Sequence, residues 1–103
     1  MSNMQQIIAK AQKFKEKMSA AQKELETKEV TGTSGGGAVT VVMTLRGEVK
    51  SVVFDKEIIN PDEKDILEDL MVAALRDAKQ KADKMYDDGM KTATGGFNIP
   101  GLP

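Results

Sequence analysis

The stretch that decides the fold is VTGTSGGGAVTVVMTLRGEVKSVVFD, residues 30–55. Every second residue in its middle is a larger apolar residue: Val39, Val41, Met43 and Leu45. This period of two is typical of a strand with one buried face. A second apolar run follows Gly47, so we predict a hairpin that turns near this glycine. Val30 and Thr31, upstream of the glycine triplet 35–37, leave room for a third short strand.

A two-stranded ribbon is marginally stable in water, so the sheet needs a third strand or a helix across its apolar face. Helical sequence precedes it, from Met4 to about Lys28. Its apolar residues form the a/d seam of a heptad repeat: Met4, Ile7, Ala11, Phe14, Met18, Ala21 and Leu25. A helix of this length is about 38 Å long and exceeds a strand of about 8 residues. Part of it therefore projects beyond the sheet or packs on another chain.

A second long helix is predicted after the sheet. Asn60 suits the N-cap, Pro61 suits the first turn, and Glu63 lies three residues after the cap. We expect the helix to run to about Asp88 and to stop at Gly89. One side of it is smooth enough for close packing because it carries small residues: Ala73, Ala74, Ala78 and Ala82.

The predicted fold class is α+β, with a long N-terminal helix, a small antiparallel three-stranded sheet and a long C-terminal helix. The order of elements is αβββα, and we expect it to form a single domain over residues 1–90. Residues 91–103 are rich in glycine and proline and show no periodicity, so we predict a flexible C-terminal tail.

Composition excludes several classes of function. The 103 residues include no cysteine and no histidine, which removes disulfides, thiolate or zinc sites and the commonest general base. Aromatic residues make up 4% of the chain and charged residues 30%, so few large side chains are available for a core. Long helices with so small a core expose much apolar surface in a monomer, and we therefore expect an oligomer. No signal segment precedes the first helix, and no run approaches ~18 apolar residues. We therefore expect a cytoplasmic protein with no membrane partner.

Two motifs that could carry chemistry are better explained by structure. Residues 32–36 match the Gly-x-Ser-x-Gly string of a nucleophile elbow, but that elbow needs a histidine base and a large α/β sheet. A Gly-rich connection between strands is favoured. Five acids crowd the start of the second helix: Asp62, Glu63, Asp65, Glu68 and Asp69. They match no calcium-binding loop and complement the positive end of the helix dipole. We predict no catalytic residue, no metal site, no cofactor and no small-molecule substrate.

The basic residues carry the remaining functional signal. Residues 1–23 contain five lysines and one acidic residue. Lys10, Lys13 and Lys17 are spaced to line one flank of the first helix, beside the a/d seam. Such a flank can follow a phosphate backbone, but lysine is also common on ordinary solvated heptad flanks. A second basic group, on the second helix, is interleaved with aspartates: Arg76, Lys79, Lys81 and Lys84.

Four segments together resemble the YbaB/EbfC family of bacterial nucleoid-associated proteins. They are VTGTSGGGAVTV (30–41), GEVKSVVFD (47–55), DEKDILEDLMVAALRDA (62–78) and GGFNIPGLP (95–103). The resemblance covers nearly the whole chain and implies an αβββα protomer that forms a tweezer-like homodimer through its sheet region. It also implies binding of double-stranded DNA and a place in the cytoplasm, on the nucleoid.

Mapped onto this sequence, the resemblance points to two sets of residues. We expect DNA contacts from the basic residues of the helical arms: Lys10, Lys13, Lys15, Lys17, Arg76, Lys79, Lys81 and Lys84. We expect a dimer interface that includes small and apolar residues of the sheet and the second helix: Val39, Val41, Met43, Ala74, Ala78 and Ala82. The acidic segment 55–69 would then face away from DNA.

A different class of function remains open. Helix, hairpin and helix is also the ground plan of prefoldin-type chaperone subunits, and exposed Met-bearing helix faces suit adaptable binding of protein clients. The heptads here span about three repeats, which is short for the long coiled coils that such subunits need. The main hypothesis is therefore a non-enzymatic, dimeric DNA-binding protein of the nucleoid, and the alternative is a helical clamp, adaptor or chaperone-like protein.

Overall fold

The computed structural model describes residues 2–95. Its elements confirm the predicted order and the α+β class. They are α1 (Ser2–Glu26), β1 (Glu29–Ser34), β2 (Val39–Thr44), β3 (Val49–Phe54) and α2 (Lys64–Ala93). Short 3-10 turns at Gly35–Gly37, Lys56–Ile58 and Pro61–Glu63 connect them.

The three strands form one antiparallel sheet in the order β1-β2-β3. The hairpin between β2 and β3 turns at Gly47, as predicted. Gly47 has a φ of 91°, which a residue with a Cβ rarely adopts, and its N–H donates to the Thr44 carbonyl at 2.9 Å. The third predicted strand is β1, which pairs with β2 from Glu29 opposite Thr44 to Ser34 opposite Val39.

α2 lies directly against β1, and a glycine makes this possible. A Cβ added to Gly32 would stand 2.3 Å from the backbone nitrogen of Ala78 and 2.5 Å from the carbonyl oxygen of Ala74. Strand and helix backbones therefore touch with no side chain between them. The smooth side predicted for the second helix is real, and it packs on the sheet of its own chain.

This packing involves the residues of the predicted dimer interface. The six residues assigned to it are 0–5% exposed in a single chain: Val39, Val41, Met43, Ala74, Ala78 and Ala82. Together with Leu25, Val30 and Leu45 they form the hydrophobic core. A side chain that is already buried within its own chain has almost no surface left to offer a partner. The spacing of these residues indicated close packing, and the structure shows such packing within the protomer. Their place in a dimer interface stays a prediction.

Three contacts along α2 give the direction of α1 and β1 relative to this helix. Ser34 donates its hydroxyl to the Leu70 carbonyl at 2.6 Å, Gly32 lies at Ala74 and Ala78, and Leu25 packs at Gly89. α1 and α2 are therefore antiparallel, and they overlap only near their C-terminal ends. From Leu25 to the start of α1 is about 35 Å, and from Gly89 to the start of α2 about 37 Å, at 1.5 Å per residue. Together these lengths account for the 74 Å long dimension of the molecule.

The N-terminal part of α1 therefore projects from the body of the protein. We call residues 2–20 the α1 arm. Side chains from Asn3 to Lys13 are all exposed, and along the rest of the arm only Phe14 and Met18 are half-buried. The expected projection of the first helix beyond the sheet is confirmed.

The ends of α2 differ from the sequence prediction in two respects. Asn60 does act as a cap, accepting from the Asp62 N–H at 3.0 Å, but it caps the 3-10 turn Pro61–Glu63 that precedes α2. At the other end, Gly89 lies inside the helix and does not end it. A Cβ added at this position would be 2.4 Å from a methyl carbon of Leu25, so the position has no room for a side chain. This glycine serves helix–helix approach, and α2 continues to Ala93. Most of the predicted tail, residues 96–103, lies outside the described residues.

Candidate nucleic-acid interface

Four of the predicted DNA-binding residues lie on the α1 arm. Lys10, Lys13, Lys15 and Lys17 are all exposed. Within residues 2–95 none of them takes part in an ion pair. With 3.6 residues per turn, Lys10 and Lys17 lie on one flank of the apolar seam and Lys15 lies on the other. The arm thus presents four lysines against one acid, Glu16, which pairs with none of them in the described residues.

The second predicted set, on α2, is largely neutralised. Three of its lysines pair with an aspartate four residues away: Lys79 with Asp83, Lys81 with Asp77 at 2.9 Å, and Lys84 with Asp88 at 3.6 Å. Arg76 takes part in no ion pair within the described part of the chain. The structure therefore separates the eight predicted residues into an uncompensated arm set and a mostly compensated α2 set.

One ion pair on α2, between Lys81 of this second set and Asp77, has a structural role that the sequence did not reveal. Asp77 accepts a hydrogen bond from the Thr33 N–H at 2.9 Å, and Lys81 donates to the Thr31 carbonyl at 3.1 Å. The Thr33 N–H and the neighbouring Lys81 ammonium hold the pKa of Asp77 below its usual value. Both side chains occupy backbone groups on the outer edge of β1. The sequence signal was the Asp77–Lys81 spacing of four, which on its own indicates only a surface pair.

Negative charge collects at the opposite end of the molecule. Residues 55–69 contain seven acids and two lysines. Lys64 pairs with Glu68 at 3.1 Å and with Asp65 at 3.6 Å, but Asp62, Glu63 and Asp69 form no ion pair inside the described range. Because α1 and α2 overlap only near Leu25 and Gly89, the α1 arm and this acidic segment lie at the two ends of the long axis.

Other kinds of site find little support in the geometry. Ser34, the serine of the Gly-x-Ser-x-Gly string, ends β1 and donates its hydroxyl to a backbone carbonyl of α2. Among residues 2–95 there is no group of three acidic, histidine or cysteine residues placed to hold a metal ion. No helix in that range is long and apolar enough to cross a membrane.

Sequence comparison relates the chain to a known protein family. The chain matches the YbaB/EbfC DNA-binding family over residues 1–97. A nucleoid-associated protein of Nitrobacter winogradskyi is 48% identical over 94 residues, which cover 91% of this chain and 89% of that protein. A nucleoid-associated protein of Saccharopolyspora erythraea is 43% identical over 109 residues, covering 97% of this chain and 94% of that protein.

A solved structure supports the fold independently. The crystal structure of an uncharacterized protein from Helicobacter pylori aligns with a TM-score of 0.68, over 82% of this chain and 88% of that chain, at 20% identity. The matching family is one of nucleoid-associated DNA-binding proteins rather than of enzymes. Family match and relatives both extend over nearly the full chain, and the chain therefore belongs to the YbaB/EbfC DNA-binding family.

Proposed function

We propose that this protein binds duplex DNA as a homodimer, mainly through phosphate contacts from the lysines of the α1 arm, in the cytoplasm on the nucleoid. The observation that carries the proposal is the uncompensated charge of the arm, at Lys10, Lys13, Lys15 and Lys17. Lys10 and Lys17 lie about 10 Å apart along the helix. Duplex DNA carries one charge per about 1.7 Å of axis, so one flank of the arm can reach several phosphates.

Phosphate contacts of this kind fix position without reading bases. The proposed role is accordingly organisation of the nucleoid, with gene regulation as the more specific form of it. Arg76, Lys79, Lys81 and Lys84 form a secondary set in the proposal, since phosphate binding by the three lysines competes with their aspartate partners. We expect their contribution to be smaller than that of the arm.

The homodimer is proposed to form through β3. The outer edge of β1 is occupied by Asp77 and Lys81, whereas β3 lies at the other edge of the sheet, with β2 as its one neighbour among the described strands. An open edge is a template for pairing with another chain. Val49 and Val53 on β3 are 48% and 60% exposed, so pairing there would also cover apolar surface.

The test measures anisotropy of a fluorescent duplex with wild type and with a variant carrying Lys10→Glu, Lys13→Glu and Lys17→Glu. A matched control carries Lys28→Glu, Lys56→Glu and Lys64→Glu, which changes net charge equally away from the arm and from β3. We expect at least a tenfold loss of affinity for the arm variant and a small loss for the control, with the dimer intact in both. Equal losses would show that net charge alone governs binding and would refute the assignment.

A salt series on the same duplexes counts the contacts. Affinity should fall log-linearly with salt, with a slope of about 0.9 for each neutralised phosphate. The arm variant should show a shallower slope than wild type. Similar affinity for random and AT-rich duplexes would favour a packaging role, and a clear preference would favour a regulator.

One observation favours a second candidate function, a helical clamp for protein clients. Met4, Ile7 and Ile8 on the arm are all more than half exposed, and such a surface suits adaptable apolar binding. Suppression of the aggregation of an unfolded client, insensitive to salt and lost on truncating these three side chains, would favour this function over DNA binding.

A further inference from the structure

The α1 arm carries an apolar stripe that nothing in the described structure covers. Met4, Ile7 and Ile8 are 51–64% exposed and lie on one side of the helix. Lys10 and Lys17 flank this stripe on one side, and Lys15 lies in line with Ile8, two turns further along the helix. A ligand that fits the arm patch, defined by these six residues, needs apolar side chains together with negative charge beside them and beyond them along the helix.

The acidic end, residues 55–69, has this chemistry. Ile59 and Ile66 are 57% and 55% exposed, and four of the acids lie close to Ile66 in sequence. Asp65 and Asp69, four residues apart, lie on the same exposed side of α2 as Ile66. The acidic end is thus the complement of the arm patch in both sign of charge and apolar content.

The two surfaces cannot meet within one chain. Both helices are continuous, and they cross only near their C-terminal ends. The arm patch therefore extends from about 12 Å to about 32 Å from the crossing in one direction, and the acidic end begins about 30 Å from it in the other. A contact between them must join different copies. A contact between unlike surfaces is heterologous, and where the rotation does not close a ring it continues from copy to copy.

We propose that the arm patch of one copy docks on the acidic end of another, so that the protein assembles head-to-tail beyond the homodimer. The occupant of the unpartnered arm is a second copy of this chain, selected by opposite charge. Pairing of two arm patches with each other is disfavoured, because it would place Lys10 and Lys17 of one copy near the corresponding lysines of the other. The inference concerns self-assembly and goes beyond binding of DNA.

The test is sedimentation velocity on the full chain, without DNA, over a range of protein concentrations. Wild type should form species larger than the dimer in about 0.1 M salt and lose them in about 1 M salt, where the Debye length falls from about 10 Å to about 3 Å. A reversed-arm variant carries Lys10→Glu, Lys15→Glu and Lys17→Glu, and a reversed-end variant carries Asp62→Lys, Glu63→Lys and Asp69→Lys. Each variant alone should stop at the dimer.

Mixing the two variants provides the decisive measurement. The reversed arm is acidic and the reversed end is basic, so an equimolar mixture restores complementary surfaces and should restore the larger species. Circular dichroism checks that each variant is folded, and the mixture tests both, since an unfolded variant cannot restore assembly.

Three outcomes would overturn the inference. They are a wild type that stays dimeric at every concentration, variants that assemble as wild type does, and a mixture that stays dimeric although both variants are folded. A reversed-arm variant that loses DNA binding but keeps the larger species refutes head-to-tail docking and leaves the proposed function standing. Restored assembly in the mixture supports docking whatever the affinity for DNA.

Discussion

At the scale of single residues, the absence of a side chain at Gly32 sets the distance between sheet and helix. Its backbone conformation is ordinary extended strand, so the requirement for glycine comes from space. Backbone atoms of Ala74 and Ala78 occupy the volume that a Cβ would need. Backbone atoms cannot move aside as the end of a long side chain can, so β1 would have to lift from α2.

We predict that Gly32→Ala lowers the free energy of unfolding by at least about 3 kcal/mol, among the larger effects of single substitutions. Gly36→Ala is the matched control. Its added Cβ meets nothing within 4 Å, but its φ of 67° is left-handed and should cost about 1–2 kcal/mol. Urea unfolding of both variants measures the difference. Equal losses would mean that the contact with α2 does not constrain position 32.

At the scale of elements, α1 consists of two parts that share one heptad pattern. Leu25, near its C-terminal end, is buried against α2 at Gly89, whereas Ile7, on the same seam, is exposed on the arm. The a/d pattern predicted the helix correctly. It could not show which part of the apolar seam is buried. The spacing of apolar residues is the same where the seam packs against α2 and where it is exposed to solvent.

The difference between the two parts leads to a prediction. Leu25→Ala should lower the free energy of unfolding by about 2–5 kcal/mol, as for other buried leucines. It should also speed amide hydrogen exchange along α1, because the helix loses its main contact with α2. Ile7→Ala, an aliphatic truncation on the same seam, should change stability by less than about 0.5 kcal/mol. A large loss for Ile7→Ala would show that the arm packs on something in the isolated protein.

The sequence predicted the existence and order of the elements better than their partners. The alternation from Val39 to Leu45 and the turn at Gly47 are local signals, and each was confirmed because neighbours in the chain determine it. Asn60 also caps a turn as predicted, but the turn is the 3-10 turn that precedes α2. Gly89 was predicted to end α2, and Ala74 and Ala78 were expected at a dimer interface, whereas the structure shows all three in close packing within the protomer. Small residues permit close approach of another helix or strand, but their spacing in the sequence does not identify which element packs there. The role of Asp77 at the edge of β1 depends on a contact 44 residues away, so no local pattern could reveal it.

At the scale of the whole molecule, the two edges of the sheet are unequal. Side chains of α2 occupy the Thr31 carbonyl and the Thr33 N–H on β1, while β3 keeps an apolar edge without a neighbour in the described structure. A sheet blocked on one side can add strands on the other side alone. Two copies joined through β3 would therefore close off the sheet after a single pairing.

We predict that Val49→Lys with Val53→Lys shifts the protein from dimer to monomer, because charge on an edge strand opposes pairing. The matched control, Thr31→Lys with Thr33→Lys, adds the same charge to the edge occupied by Asp77 and Lys81. It should leave the dimer unchanged. Light scattering after gel filtration gives the mass of each variant. Dissociation of the control alone would move the interface to β1.

Because α1 contacts α2 only near Leu25 and Gly89, a small rotation at this contact displaces the tip of the α1 arm by a large distance. The tip of the arm lies about 35 Å from this contact, so a rotation of only about 10° at the contact would move the tip by about 6 Å. That distance is several times the roughly 1.7 Å spacing of charges along a duplex. In the proposed complex with DNA, a small rotation where Leu25 meets Gly89 would fit the arm to grooves of different width, and such binding would need no preferred sequence.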